Sequence, residues 1–553
     1  MDVQKAIEEI NASINSVTDP VARAIISQLL NIIEHQAQEI KTFKAENQKL
    51  RDENNRLKGE KGKPNIRLQN KSNISSEKER KQQGKNKNLK RSKSKNHKIK
   101  INRTIKCKIN PKKLPEDAVF KGYRTVIIQD IIIKTNNIKF KKEVYYSPSK
   151  NKTFTASVPD GYNGEFGPHI KSLIITQHFK YKMTEPAIVE FLRDHGIEMS
   201  AATVSRIITD HNDQFHAEKK DIVEAGLPSS VYQQMDDTSA RVNGKNHYTH
   251  VLCNPYYTAY FTRPGKSRLT VLEILSQKEL LFEFNESAYA LMSQMGLSLE
   301  VLARLREQLK LNIILNRQEA EILLDGLFSE PSTYKRSRRI VLEASAIIAY
   351  QKSPHATKIL LTDDAPQFKE ITELLAMCWV HDARHYKKLA PVFLEHQNQL
   401  HSFLDKYWDY YHKLLEYKNA SSEKFRQSLE TEFDVIFSTK TGYDQLDERI
   451  ERTRLKKDSL LLVLQHPELP LHNNDSELGA RVQARYRDIS FQTKNAKGTE
   501  CKDTFMTIME TARKLGINVS KYIFDRISSN FKMPSLASII AQQGSDGLVY
   551  SST

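Results

Sequence analysis

Between Lys58 and Lys113 the chain carries 21 lysines and arginines against three acids, Glu60, Glu77 and Glu79. That local excess of +18 equals the formal net charge of the whole 553-residue chain. A run such as "KQQGKNKNLKRSKSKNHKIKINR" has too few apolar side chains to bury a core. Whatever packs must therefore lie before it or after it. Clustered positive charge draws polyanions, and release of their counterions drives the binding. A solvated spacer would share this composition, but the clustering favours phosphate contact.

The same chain shows no unbroken apolar run long enough to span a bilayer. Its first residues, "MDVQKAIEEINAS", lack the basic-then-apolar order of a secretion signal. Cys107, Cys253, Cys378 and Cys501 lie far apart with no C-x-x-C pair, which suits a reducing compartment and no cysteine-built zinc site. These features predict a cytoplasmic protein with no membrane partner; a DNA-binding role would associate it with the bacterial nucleoid.

Ahead of the basic run lies a heptad pattern. Ile26, Ile33, Ile40, Asn47 and Asn54 fill one register, and Leu29, Gln36, Phe43, Leu50 and Leu57 the other. Isoleucine at one seam position with leucine at the next, interrupted by asparagine, favours two parallel strands. Residues 1–60 are expected to form a zipper-like coiled coil, making the protein a homodimer or higher oligomer.

Downstream, "YRTVIIQDIIIKT" and "FKKEVYYSPS" read as strands. Between Thr184 and Thr209 two short amphipathic helices follow. Thr184 and Ser200 are candidate caps and Gly196 the break, at helix-turn-helix spacing. After Ser229 the order is three strands, "VYQQMDD", "HYTHVLC" and "YYTAYFT", then a helix, a long helical stretch, the strand "ATKILLTDD" and a further strand "LAMCWV". A last helix opens at "HNNDSELGARVQARY".

Two of these strands end in aspartate pairs, Asp236-Asp237 and Asp363-Asp364, and the last helix carries Glu477 near its start. Taken singly, the pairs suit strand-terminating turns, and Asn474 with Glu477 suits a capping box. Taken together, acids on a first strand, a fourth strand and a following helix are similar to the arrangement of an RNase H-like fold. Such a trio offers hard oxygen ligands for two magnesium ions, or manganese. Paired metals of this kind activate an attacking water or hydroxyl and stabilise the leaving oxygen of a phosphodiester.

The blocks "QMDDTSARV", "LLTDDAPQF", "CWVHDARHYKKL" and "LHNNDSELGARVQARYRDISF" resemble the conserved blocks of the insertion-sequence-66 family of DDE transposases. The resemblance runs from about His169 to Ile523. It implies that Asp236, Asp363 and Glu477 are the catalytic acids and the metal ligands. It matches Cys378, Trp379, His381 and Arg384 to the family's C-W-x-H-x-x-R block, and Asn473, Asn474, Arg481 and Arg487 to its N-N-x-x-E-R-x-x-R block. His381, Arg384, Asn473, Asn474, Arg481 and Arg487 are accordingly expected to contact DNA or to support the acids. His381 and His385 also stand at a spacing that can bind zinc on a helix. Leu478 replaces an expected arginine and Ser239 an expected proline. The family's cysteine-rich module has no counterpart around 105–160, and the insertion between Asp236 and Asp363 is long.

The expected fold is α/β multidomain. A coiled coil (1–60) and a basic linker (61–113) precede a DNA-binding region (114–228) with its helix-turn-helix-like segment at 184–209. An RNase H-like catalytic domain (229–497) follows, with helical insertions near 278–350 and 385–460, and then a helical tail (498–553). The expected function is magnesium-dependent cleavage of an element's terminal repeats and strand transfer into target DNA, with accessory element-encoded proteins as further partners. The alternatives are a decayed transposase that only binds DNA and a hydrolytic nuclease of the same fold.

Overall fold

The computed structural model describes residues 3–13, 17–57, 99–110, 113–115, 117–309, 312–328 and 334–551. Most of the basic stretch lies outside them. Two helices come first, α1 (Val3–Ser13) and α2 (Pro20–Leu57), followed by a hairpin of β1 (Val144–Ser147) and β2 (Lys152–Thr155). Next stand α3 (Pro168–Ile175), α4 (Glu185–Asp194), α5 (Ala201–Thr209) and α6 (Asp213–Gly226).

The strand expected over "YRTVIIQDIIIKT" does not form. Residues 123–135 have no ladder partner among the described residues, and Val126, Ile128 and Ile131 stand exposed. Strand propensity is worth little without a neighbouring strand to pair with and a face to bury. Only the end of "FKKEVYYSPS" enters the hairpin.

The helical pair forms at the expected place for the expected reasons. Thr184 Oγ1 accepts from the Ala187 N–H and Ser200 Oγ from the Thr203 N–H, while Gly196 takes φ +73° between the helices. Ile188, Leu192, Val204 and Ile208 are buried where the two helices join the main core.

The centre of the molecule is a five-stranded mixed sheet of order β5-β4-β3-β8-β9. Here β3 (Tyr232–Val242), β4 (Lys245–Cys253) and β5 (Thr258–Arg263) are antiparallel. Across the other edge of β3, β8 (Ile359–Thr362) and β9 (Leu374–Met377) run parallel to it. Between β5 and β8 the chain makes α7 (Arg268–Ser276), β6 (Phe282–Phe284), α8 (Glu286–Gln294), α9 (Leu299–Gln308), β7 (Ile313–Leu315), α10 (Arg317–Leu327) and α11 (Lys335–Gln351). β6 and β7 pair antiparallel, so the long insertion contains a small two-stranded sheet that the sequence reading did not anticipate.

After β9 come α12 (Trp379–Tyr386), α13 (Leu394–Asn419), α14 (Glu423–Phe437), α15 (Asp444–Arg454) and α16 (Lys457–Leu460). Trp379, Tyr407, Tyr410, Phe433 and Phe437 form the aromatic centre of these helices. The chain then returns to the sheet as α17 (Asn474–Ser490) and α18 (Ala496–Lys514), and ends in α19 (Val519–Ile527) and α20 (Leu536–Ser551).

Successive strand side chains point to opposite faces of a sheet. Met235, Leu252, Ala259 and Phe261 share one face and join the large apolar core with α6, α7 and α11. Asp236, Val251 and Tyr260 share the other, which α17 and α18 cover. α18 is fastened to β5 by polar side chains: Asp503 accepts from the Thr262 N–H at 2.6 Å, and Thr507 Oγ1 from the Tyr260 N–H at 3.1 Å. The layer over this face thus extends past residue 497 into the segment expected to be a tail.

α2 is a single long helix whose expected seam, at Leu29, Ile33, Ile40, Phe43 and Leu50, is exposed. A different face touches the protein. Leu30 and Glu34 are buried, and Glu34 accepts from the Val392 and Phe393 N–H groups at 2.6 and 3.1 Å. The docked face lies one residue, about 100°, round from the seam. Among the described residues no helix is long and apolar enough to cross a membrane.

Candidate active site

The first aspartate pair lies inside β3 and does not terminate it. The ladder with β4 runs on through Asp236↔Val251 and Asp237↔His250 to Val242. The turn reading of this pair is therefore corrected: β4 supplies a partner for every residue to 242, so the strand does not stop at its charges. The second pair directly follows β8. β3 and β8 pair as Gln234↔Leu361, and this register carried two residues further sets Asp363 beside Asp236. Neighbouring strands lie about 5 Å apart, so side chains at that level on one face are within reach of common ligands.

Within each pair the two aspartates have opposite fates. Asp237 is bound by Lys266 at 3.3 Å and by Gln367 at 2.8 Å. Asp364 is bound by Lys369 at 3.1 Å and Lys456 at 2.5 Å. Burial raises the Asp364 pKa, but the bonds and charges of the two lysines outweigh that and leave it below the usual value. Asp236 and Asp363 have no cation within ion-pair distance among the described residues. One oxygen of Asp236 accepts from the Asp237 N–H and one of Asp363 from the Ala365 N–H. The remaining oxygens accept nothing from the described residues. Burial, followed by the charge of Asp363, pushes the Asp236 carboxyl up to about 7, and the charges of Asp237 and Glu477 add to it.

Glu477 enters from α17. The capping-box reading fails here, since the helix starts one residue earlier than a box needs, with Asn473 at its N-cap and no side-chain cap bond. The Glu477 side chain is turned toward α12 instead. Arg384 donates to one carboxylate oxygen at 3.0 Å, and His381 Nε2 lies 3.5 Å from the other. Arg384 also bonds His381 Nε2 at 2.9 Å. Burial lowers the His381 pKa and leaves the imidazole largely neutral.

Cys378, His381 and Glu477 bring a thiol, an imidazole and a carboxylate within 4.8 Å of one another. The guanidinium of Arg384 already supplies the positive charge there, and burial pushes the Cys378 thiol up to about 12. His385, expected as a possible partner of His381, does not join the cluster.

Asn473, expected to contact DNA or to support the acids, is completely buried. Its Nδ2 donates to the Met235 carbonyl at 3.0 Å, its N–H to Cys378 Sγ at 3.2 Å, and its Oδ1 accepts from Ser476 at 2.6 Å. One side chain and its amide so clamp β3, the start of α12 and the start of α17 beside the three acids. Arg487 donates to the Ser239 carbonyl at 2.6 Å and ties α17 to the far part of β3. Arg481 is exposed and Asn474 half-buried. Trp379 is core, donating to the Leu460 carbonyl at 2.9 Å.

Gly479 is a close-packing position that the sequence reading passed over. A Cβ there would come within 2.6 Å of Val251, the cross-strand partner of Asp236. The glycine lets α17 lie close enough on the sheet to bring Glu477, two residues earlier, to the aspartates. A glycine inside a helix costs about 1 kcal/mol relative to alanine, and that cost was the signal available in the sequence.

A family model described as the IS66 family of transposases matches residues 163–285 and 347–501, together half of the chain. The chain belongs to the IS66 transposase family. Both matched segments carry the site, the first with Asp236 and the second with Asp363, His381, Arg384 and Glu477. The gap between them, 286–346, falls on the long helical insertion and takes in β7, while its partner strand β6 lies in the first matched segment. Over 324 residues the chain is also 28% identical to the uncharacterized protein y4jO of Sinorhizobium fredii (strain NBRC 101917 / NGR234), covering 58% of this chain and 99% of that relative. Membership of a transposase family implies DNA binding and use of a divalent cation.

Proposed function

We propose that this transposase cleaves DNA at the ends of its element and joins the freed strands to target DNA, using Asp236, Asp363 and Glu477 on an RNase H-like sheet. One observation carries the reading. Asp236 in β3 and Asp363 just after β8 stand at one level with no cation at ion-pair distance among the described residues, while the aspartate next to each is bound by lysine. Half-buried, mutually repelling carboxylates are costly unless a cation is to join them. Their oxygens suit magnesium or manganese.

A pair of such ions, when bound, supplies activation of the attacking oxygen and stabilisation of the leaving one. The chain's own residues do the rest. Asp236 and Asp363 hold their carboxylates at one level of the sheet, and the Asn473 clamp fixes α17 against them. Arg384, Arg481 and the basic stretch 61–113 offer guanidinium and ammonium groups to backbone phosphates, and α5 presents Arg206 from the helix-turn-helix pair. In the first step water adds to phosphorus as the element's 3′ oxygen leaves. In the second that 3′-hydroxyl attacks a target phosphodiester and a target oxygen leaves, so each step makes one P–O bond and breaks one.

The test uses Asp236→Asn, Asp363→Asn and Glu477→Gln on duplexes bearing the element's ends. Each variant should lose about two orders of magnitude or more in cleavage, as members of a unit do, with binding to the same duplex retained. Near-normal cleavage in any one would remove that residue from the site. The exposed seam of α2 supports a homodimer. Residues 1–60 alone should then sediment as a dimer at tens of micromolar, a concentration where about five heptads ordinarily associate; a monomer there would end that part of the reading.

A further inference from the structure

Glu477 already has a cationic partner, unlike Asp236 and Asp363. Arg384 bonds one of its oxygens at 3.0 Å and His381 faces the other at 3.5 Å. The Glu477 side chain is 18% exposed, whereas that of Arg384 is 42% exposed. Among the described residues the guanidinium bonds only Glu477 and His381. It therefore lies on the solvent side of the carboxylate and can leave without disturbing the core. A guanidinium fork fits a phosphate as well as it fits a carboxylate.

We propose that Arg384 is a positioning residue that exchanges partners. In the free protein it holds the Glu477 carboxylate; in the DNA complex it moves to a backbone phosphate and releases that carboxylate to a divalent cation. This rests on the reading of Glu477 as a metal ligand. An ion pair with Arg384 and ligation of a cation draw on the same lone pairs of Glu477, so the two compete. Removing the guanidinium from the carboxylate must raise cation affinity, and DNA does the same by offering a better partner. By linkage the cation then raises DNA affinity by the same factor. The arrangement keeps the acidic cluster incomplete until a phosphodiester is present, which limits unproductive loading of the site.

The experiment is Mn2+ binding to the full-length chain, read from the magnetic resonance signal of free Mn2+, with and without a short duplex whose own Mn2+ uptake is subtracted. In the wild type, DNA should tighten protein-bound Mn2+. Arg384→Gln should tighten Mn2+ without DNA by roughly threefold to fivefold, the factor a part-exposed ion pair is worth, and should lose most of the further gain from DNA. Arg384→Lys, which keeps charge but not the fork, should fall between. Unchanged or weaker Mn2+ binding by a folded Arg384→Gln chain, or an undiminished gain from DNA, overturns the exchange. Glu477→Gln and Asp236→Asn separate this failure from failure of the underlying reading. If both bind Mn2+ as the wild type does, Glu477 and Asp236 are not ligands at all. If both bind it more weakly while Arg384→Gln behaves as wild type, only the exchange is wrong.

Discussion

Asp236, half-buried in the sheet, and Asp382, buried in the helical insertion, are treated oppositely by the protein. Asp382 is surrounded by compensation: Arg449 pairs with one oxygen, Thr453 donates to the other at 2.8 Å, Tyr407 reaches it at 3.4 Å, and Lys456 lies at 3.6 Å. Asp236 has one backbone amide and a like-charged neighbour. A buried charge answered on every side serves the fold. A half-buried charge left unanswered lowers stability, and such a cost is what the proposed cation would offset. The contrast separates the insertion, where charges hold helices together, from the sheet, where they are kept available.

The largest stability effect should come from the insertion. Asp382→Asn leaves Arg449, itself buried, without its counter-ion, and breaking a buried pair from one side costs about 3 to 5 kcal/mol. Urea unfolding followed by the fluorescence of Trp379 and Trp408 should show this as a loss confined to the helical insertion. A loss below about 1 kcal/mol would mean that Asp382 is as weakly compensated as Asp236, and the contrast would fail.

Asp236→Asn should act in the opposite direction and depend on pH. The folded-state pKa of about 7 lies above the ordinary aspartate value of 3.8. The wild-type group therefore favours folding below about pH 4, and this contribution is lost as pH rises through 7. With chelator present, Asp236→Asn should be more stable than wild type at pH 8 by about 2 to 4 kcal/mol, and the difference should shrink steadily as pH falls from 7, vanishing only below about pH 4. Mn2+ should reverse the order at pH 8, because it stabilises only the chain that binds it. Destabilisation by Asp236→Asn at pH 8 in chelator would show that the carboxylate is compensated after all.

How much of this could be read in the sequence follows the range of the interactions. β8 and the two capped helices of 184–209 were legible because apolar periodicity and capping residues act over a few positions. The acids at 236 and 363 were legible as a pattern, since each interrupts an apolar strand. The contacts that set Asp237 and Asp364 apart from them were not, because Lys266, Gln367, Lys369 and Lys456 come from separate elements. The Arg384–Glu477 bond spans 93 residues, and Asn473 reaches Met235 across 238. No local pattern encodes either contact. "YRTVIIQDIIIKT" failed for the converse reason: its residues favour strand, but pairing depends on a neighbour that this region lacks.

The smallest effect expected is at the point where the two regions touch. Lys456 lies 2.5 Å from Asp364 at the sheet and 3.6 Å from Asp382 in the insertion. Asp364 is 30% exposed and shares its charge with a second lysine, Lys369, so no single bond there is decisive. Asp364→Asn leaves Lys456 with Asp382, a partner it already has. The variant should lose less than about 1 kcal/mol, the range of part-exposed pairs, and cleave within about threefold of wild type, since Asp364 offers nothing to a cation while two ammonium groups hold it. A loss of cleavage as deep as that of Asp363→Asn would mean that the lysines release Asp364 when DNA binds. The acid serving the site would then be the second of its pair, and the division between answered and unanswered charge would have to be redrawn at β8.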